Sequence, residues 1–164
     1  MVAGNDPVLV HNNDACEVDD GNSLENPIEW EAGRPDVDGG KQAFIPMNRW
    51  TTNASNFKPG EHTFVVMPDR SIRAFHTDDM FDLFPDWNKP GPGHTSLSRG
   101  KPVIMAGNFI VDAKGVITDI NQVSGHYRPK LNGRNTALRD IAVDALNRAG
   151  FSAHPSAWNP LKGW

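Results

Sequence analysis

The chain has 164 residues, a net charge of −4 and 38% hydrophobic residues, and its one cysteine is Cys16. This length suits one domain with a sizeable core, while 15 Gly and 13 Pro predict many turns. No apolar run approaches the roughly 20 residues of a membrane span. One cysteine excludes an internal disulfide and a multi-cysteine zinc site.

The charge is divided unevenly along the chain. Residues 1–87 carry 6 Lys/Arg and 16 Asp/Glu, whereas residues 88–164 carry 10 Lys/Arg and 4 Asp/Glu. The basic half fits an anionic substrate such as RNA or a phosphorylated nucleotide. Alternatively, the two halves have complementary charges simply because they pack against each other.

The N-terminal residues 1–12 end in a short apolar run followed by His11 and Asn12. This ending resembles that of the HINT modules that precede toxin tips in bacterial polymorphic toxins of the RHS type. In those modules the Asn side-chain amide attacks its own backbone carbonyl and cuts the chain, while the His assists proton transfer. The resemblance implies that residues 1–12 are the remnant of a release junction; an ordinary terminal strand is the alternative. Residues 13–60 are acidic and turn-rich, which predicts a loop-rich arm pinned to the core by Trp50.

The core is predicted to span residues 61–164 and to begin with a β-hairpin. Residues 62–67 are rich in β-branched and aromatic types, and residues 72–76 alternate apolar and polar side chains. A short helix capped by residues 77–79 and a dense Pro-Gly cluster at residues 88–93 follow.

A second hairpin joins residues 102–111 to residues 116–123, and Gly107 within it indicates a bulge or a close backbone approach. One apolar stripe predicts a helix over residues 134–149, and the tail with Trp158 and Trp164 is expected to fold back as a strap. We therefore predict an α+β fold: a small antiparallel sheet of two β-hairpins, about four strands, packed by a C-terminal helix, with a loop-rich N-terminal arm.

Two histidines, His94 and His126, stand at the two ends of the second hairpin. Because the ends of a hairpin lie close together, the two imidazoles are expected to converge and to act as general acid and base. The alternative is that both are hydrogen-bonded turn residues. The predicted catalytic residues are His94, His126, Tyr127, Ser124 and Lys101, the predicted substrate-binding residues are Ser96, Gly125, Arg128 and Lys130, and no metal ligand is predicted.

The run Gly-His-Thr-Ser-Leu-Ser-Arg-Gly-Lys-Pro-Val and the ending Ser-Gly-His-Tyr-Arg-Pro are similar to a module at the tips of bacterial polymorphic toxins. A related pattern occurs in plant calmodulin-binding IQ-motif proteins. The resemblance covers roughly residues 61–150. It implies a secreted effector domain, delivered into the cytoplasm of a target cell as the tip of a larger toxin. It also implies a cognate immunity protein as partner, and we expect the domain to be monomeric.

Many toxin tips are ribonucleases with a few helices and a four-stranded antiparallel sheet, which the predicted fold is similar to. Two histidines with a Lys or Tyr suffice for metal-independent RNA cleavage, which needs no cofactor. The alternative is an ADP-ribosyltransferase that uses NAD and a macromolecular target. Its supporting Glu is missing, because the last Glu is Glu61, so Asp140 or Asp144 would have to substitute. The second alternative is a non-catalytic binding module with structural histidines.

Overall fold

The computed structural model describes residues 9–10, 29–30, 47–83, 93–124, 127 and 136–160. Of the predicted release junction, residues 1–12, it describes only residues 9–10, and His11 and Asn12 lie outside the described residues. The strands of this part are β1 (Leu9–Val10), β2 (Glu29–Trp30), β3 (Gly60–Val66), β4 (Ile72–His76), β5 (Met105–Val111) and β6 (Ile117–Asn121). The helices are α1 (Thr77–Leu83), α2 (His94–Ser98) and α3 (Thr136–Arg148), and single 3-10 turns cover Met47–Arg49 and Pro155–Ala157.

Strands β3 to β6 form a four-stranded antiparallel sheet in the order β4-β3-β5-β6. The outer pairs are the two predicted hairpins, and the pairing of β3 with β5 joins them. The predicted α+β fold with a C-terminal helix is therefore confirmed. Strands β1 and β2 form a separate parallel pair.

Short bridges cover both edges of the four-stranded sheet. Thr51 bridges Ala74 beside β4, and Trp158 bridges Ile120 beside β6. The second bridge agrees with the predicted return of the tail at Trp158, whereas Trp164 lies outside the described residues. Covered edges matter because unpaired strand edges invite pairing with other chains.

One face of the sheet carries the main apolar core. Phe64 in β3 and Phe109 in β5 are fully buried, with ring centroids 5.3 Å apart. Phe109 also contacts Phe151, which directly follows α3, at 5.7 Å. The stripe predicted for α3 is confirmed, and each buried Leu or Ile side chain contributes about 1.5–3 kcal/mol of transfer free energy. The buried residues of α3 are Leu138, Ile141, Ala142, Ala145 and Leu146.

Gly107 lies in β5 where the chain leaving β6 passes very close to it. A Cβ atom on Gly107 would lie 1.9 Å from the carbonyl oxygen of Asn121. The predicted close backbone approach is thus confirmed. The register irregularity of this strand pair lies elsewhere, between Ile110 and Val111.

Helix α2 is a feature that the sequence patterns did not predict. Its five residues are all buried. At its start the backbone N–H of Gly93 donates to Oγ of Ser96 at 3.1 Å, and the N–H of Ser96 donates to the Gly93 carbonyl at 3.0 Å. It ends at Arg99, which adopts the left-handed conformation with φ 56°, and Gly100 follows with φ 71°. The chain that follows the predicted turn cluster therefore forms a buried helical turn first and enters β5 only after it.

Candidate functional site

Tyr127 ties the end of the second hairpin to the connection between α2 and β5. Its side chain is fully buried. The Tyr127 hydroxyl donates to the carbonyl oxygen of Lys101 at 2.9 Å and lies 2.7 Å from Oγ of Ser98. Its backbone N–H donates to Oγ of Ser124 at 3.0 Å. Tyr127 is thereby anchored against α2, although about thirty residues separate it from Ser98 in sequence.

Burial raises the pKa of Tyr127 to about 12, although the Ser98 hydrogen bond favours the ionised form. The phenol therefore stays protonated at neutral pH and cannot accept a proton from a substrate. Its hydroxyl proton is also engaged by the Lys101 carbonyl, which can only accept. In this arrangement the Tyr127 hydroxyl holds the residue against α2 and does not serve as a base.

His94 is the first residue of α2, and 7% of its surface is exposed. Its Nε2 atom lies 2.9 Å from the carbonyl oxygen of Gly107 in β5. Because a carbonyl oxygen only accepts, Nε2 carries the proton and donates it to this bond. The ring thus fastens the start of α2 to the middle of the sheet.

The two predicted serines have backbone partners. Oγ of Ser96 accepts from the Gly93 N–H and closes the first turn of α2. Oγ of Ser124 accepts from the Tyr127 N–H. Both serines are buried, whereas the side chain of Lys101 is exposed. Lys101 therefore presents its ammonium group to solvent beside the carbonyl that holds Tyr127.

The other predicted site residues are Gly125, His126, Arg128 and Lys130, and they lie outside the described residues. Convergence of the His126 and His94 side chains accordingly stays a prediction. The described residues on either side, Ser124 and Tyr127, are joined by the hydrogen bond that the Tyr127 N–H donates to Oγ of Ser124. In the described residues, no group of three or more His, Cys, Asp or Glu side chains is arranged to hold a metal ion.

Two further clusters were not predicted from the sequence. His62 and His76 are buried cross-strand partners on β3 and β4, with ring centroids 5.0 Å apart. Separately, the guanidinium carbons of Arg73 and Arg99 lie 5.1 Å and 5.4 Å from the ring centroid of Trp50. The alternation in β4 was the one indication of the second cluster in the sequence. It places Arg73 on the face of the sheet opposite that of the buried Ala74.

Comparison with known proteins gives one partial similarity. No protein-family model matches the chain, and no solved structure matches it significantly. A stretch of 64 residues, 39% of the chain, is 34% identical to the IQ domain-containing protein IQM3 of Arabidopsis thaliana. The stretch covers 14% of the length of that protein, so the chain matches only a small part of it. The similarity agrees with the predicted pattern shared with plant IQ-motif proteins and leaves the toxin resemblance a prediction.

Proposed function

We propose that this chain is the effector domain of a secreted antibacterial toxin and cleaves RNA without a metal ion. The observation that carries the proposal is the bonding of Tyr127 to Ser98 and Lys101. This bonding places Tyr127, the residue that follows His126 in the sequence, beside α2 and the exposed Lys101. A histidine that acts as base and a cation that stabilises the phosphoryl charge are the minimum that acid–base cleavage of a phosphodiester requires.

The proposed reaction uses the 2′-hydroxyl of RNA as the nucleophile. His126 removes the 2′-hydroxyl proton, the oxygen attacks phosphorus, and the bond to the 5′-oxygen breaks. The leaving oxygen takes a proton from an acid, and the products are a cyclic 2′,3′-phosphate and a free 5′-hydroxyl. Lys101 stabilises the negative charge that develops on the phosphoryl oxygens.

The acid partner in the proposed pair is His94, whose Nε2 proton is held by Gly107 in the described geometry. Proton donation from this atom requires that bond to break during the reaction. If it stays intact, His94 is a positioning residue that holds α2 in place. The two roles predict different kinetics, because loss of the acid lowers kcat while loss of positioning also weakens substrate binding.

The proposal includes the partners and the place of action implied by the toxin resemblance. The domain reaches the target cytoplasm as the tip of a larger toxin and serves competition between bacteria. A cognate immunity protein with an acidic surface would neutralise it by covering the basic half of the chain. The described residues contain no helix that is both long and apolar enough to cross a bilayer.

Transfer of ADP-ribose from NAD is the second candidate, and the sheet register provides one observation in its favour. ADP-ribosyl transfer needs a supporting Glu, and no Glu follows the candidate site in the sequence. In the sheet, Glu61 of β3 and Asp119 of β6 both stand opposite Ile110 of β5. A carboxylate from an earlier strand therefore lies in the sheet to which His94 is bonded through Gly107, so chain order alone does not weigh against NAD chemistry.

The decisive variant is His126→Ala, with His154→Ala as the control because His154 is exposed and belongs to the tail. We expect His126→Ala to abolish killing of target cells while its circular dichroism spectrum stays that of the parent. The control variant should kill normally. Retained killing by His126→Ala would remove both enzymatic proposals and favour a non-catalytic binding module.

Incubation of the purified domain with total RNA separates the two activities. We expect RNA fragments with cyclic phosphate ends to form without NAD and in the presence of EDTA. Consumption of NAD without RNA fragments would instead support ADP-ribosyl transfer. Fragments that require a divalent cation would contradict the metal-independent mechanism.

A further inference from the structure

Three cations meet at the C-terminal end of α2. Arg99 and Lys101 follow the helix directly, and their side chains are exposed. Arg73 reaches the same place from β4, because one of its N–H groups donates to the carbonyl oxygen of Leu97 at 3.0 Å. Both guanidinium groups lie over the Trp50 ring, which orients them by cation–π attraction.

In the described part of the chain none of these three cations forms an ion pair with a carboxylate. The charge of Arg73 nevertheless helps to lower the pKa of the exposed Asp69, after the hydrogen bonds from Ser71, so Arg73 is partly compensated. Most of the other described cations are paired: Arg49 and Lys58 with Asp79, Arg70 and Arg148 with Asp144, and Arg139 with Asp140. The exception is Lys114, in the turn at the far end of β5. Among the described cations, those without an ion pair are thus concentrated at the C-terminal end of α2.

The backbone of Arg99 argues against a purely structural role for its side chain. Arg99 caps α2 in the left-handed region, with φ 56° and ψ 40°. Glycine takes this conformation without steric strain and is the residue most favoured at such helix ends. Arginine therefore carries a steric cost at this cap, and the feature that a ligand could use is its exposed guanidinium group over the Trp50 ring.

We propose that Arg73, Arg99 and Lys101 bind the phosphate backbone of single-stranded RNA, with Trp50 holding the two guanidinium groups in place. The choice of RNA as the bound polyanion rests on the ribonuclease proposal. Guanidinium groups bind phosphate oxygens through paired N–H donors, and their positions on one ring reduce the entropy lost on binding. The Lys101 carbonyl also holds Tyr127, so RNA bound here lies beside Tyr127, the residue that follows His126 in the sequence.

The test is the Arg99→Gly variant, which removes the charge and relieves the left-handed strain at once. Binding is measured by fluorescence anisotropy with a labelled single-stranded RNA of mixed sequence, in the His126→Ala background so that the RNA survives. We expect affinity to fall about tenfold. The slope of log K against log salt should shrink by about 0.7, the value for one lost phosphate contact. The thermal midpoint should stay equal or rise.

Lys114→Gln is the matched control, because it removes one unpaired, exposed cation at the other end of the hairpin. It should change RNA affinity less than about twofold. Equal losses of RNA affinity in the two variants would mean that net charge alone governs binding, and would overturn the proposal. The proposal would also be overturned if Arg99→Gly kept its RNA affinity but no longer bound polyglutamate as the parent does. That result would assign the cluster to binding of an acidic protein surface.

Failure of this inference is distinguishable from failure of the proposed function. RNA cleavage by the parent chain, together with full RNA affinity in Arg99→Gly, removes the binding site and keeps the ribonuclease. Arg99-dependent RNA binding without any RNA cleavage keeps the binding site and removes the ribonuclease.

Discussion

The buried histidine pair makes the stability of this domain depend on pH, and His62 is the residue that carries the effect. Its side chain is fully buried, stacked on Phe109 at 4.8 Å and in edge contact with His76 at 5.0 Å. Its Nδ1 donates to the Gly60 carbonyl at 3.3 Å, while Nε2 has no hydrogen-bond partner in the described part of the chain. A second proton on this ring would be buried without an acceptor.

Burial lowers the pKa of His62 from 6.5 to about 4, and the neighbouring His76 acts in the same direction. Asp79 opposes the shift, while Lys58, which is paired with Asp79, adds to it. The unfolded chain therefore binds a proton between pH 6.5 and about 4 that the folded chain excludes. Stability is full above pH 6.5 and declines as the pH falls through this window. The total loss is about 3 kcal/mol, of which about 2.5 kcal/mol has occurred at about pH 4.5.

The variant His62→Phe keeps a flat ring on Phe109 and removes the titration. Urea unfolding at about pH 7.5 and about pH 4.5 gives the pH-dependent loss of unfolding free energy for each chain. We expect the parent to lose about 2.5 kcal/mol more than His62→Phe. His154→Gln, which removes an exposed imidazole, should behave as the parent. Equal losses in the parent and His62→Phe would refute the assignment of the acid sensitivity to His62.

Two further predictions concern the sheet and the anchor. Gly107→Ala should lower the unfolding free energy by about 3 kcal/mol or more, since the new methyl meets backbone at Asn121. The control is Gly115→Ala, where φ is +81° and the new methyl would lie 3.8 Å from Phe57. It should lower the unfolding free energy by only about 1 kcal/mol, measured by urea titration as for Gly107→Ala. Similar losses in the two variants would contradict the backbone contact at Gly107. Tyr127→Phe should lower the unfolding free energy by about 1–3 kcal/mol, because the Lys101 carbonyl loses its side-chain donor and the buried Ser98 hydroxyl keeps only its bonds to Thr95 and Gly100. A thermal midpoint equal to that of the parent would show that the anchor is dispensable.

The sequence by itself determined the elements whose residues repeat with a period. The β-branched and aromatic residues of β3, the alternation in β4 and the apolar stripe of α3 are local properties that a short window of the chain displays. The approach of backbone to Gly107 was also predictable, because a residue without Cβ inside a strand marks a place where a side chain has no room. These features were sufficient for the fold class and for the two hairpins.

Only the tertiary structure decided what surrounds the candidate site. Helix α2 has five residues, of which only Leu97 is apolar, so its sequence shows no apolar stripe that would reveal a helical period, although all five residues are buried. The anchoring of Tyr127 and the meeting of Trp50, Arg73 and Arg99 join segments that are distant in sequence. The His62–His76 contact depends on the register between β3 and β4, which a shift by one residue would abolish. Contacts of this kind arise from long-range packing and therefore leave no local signal in the chain.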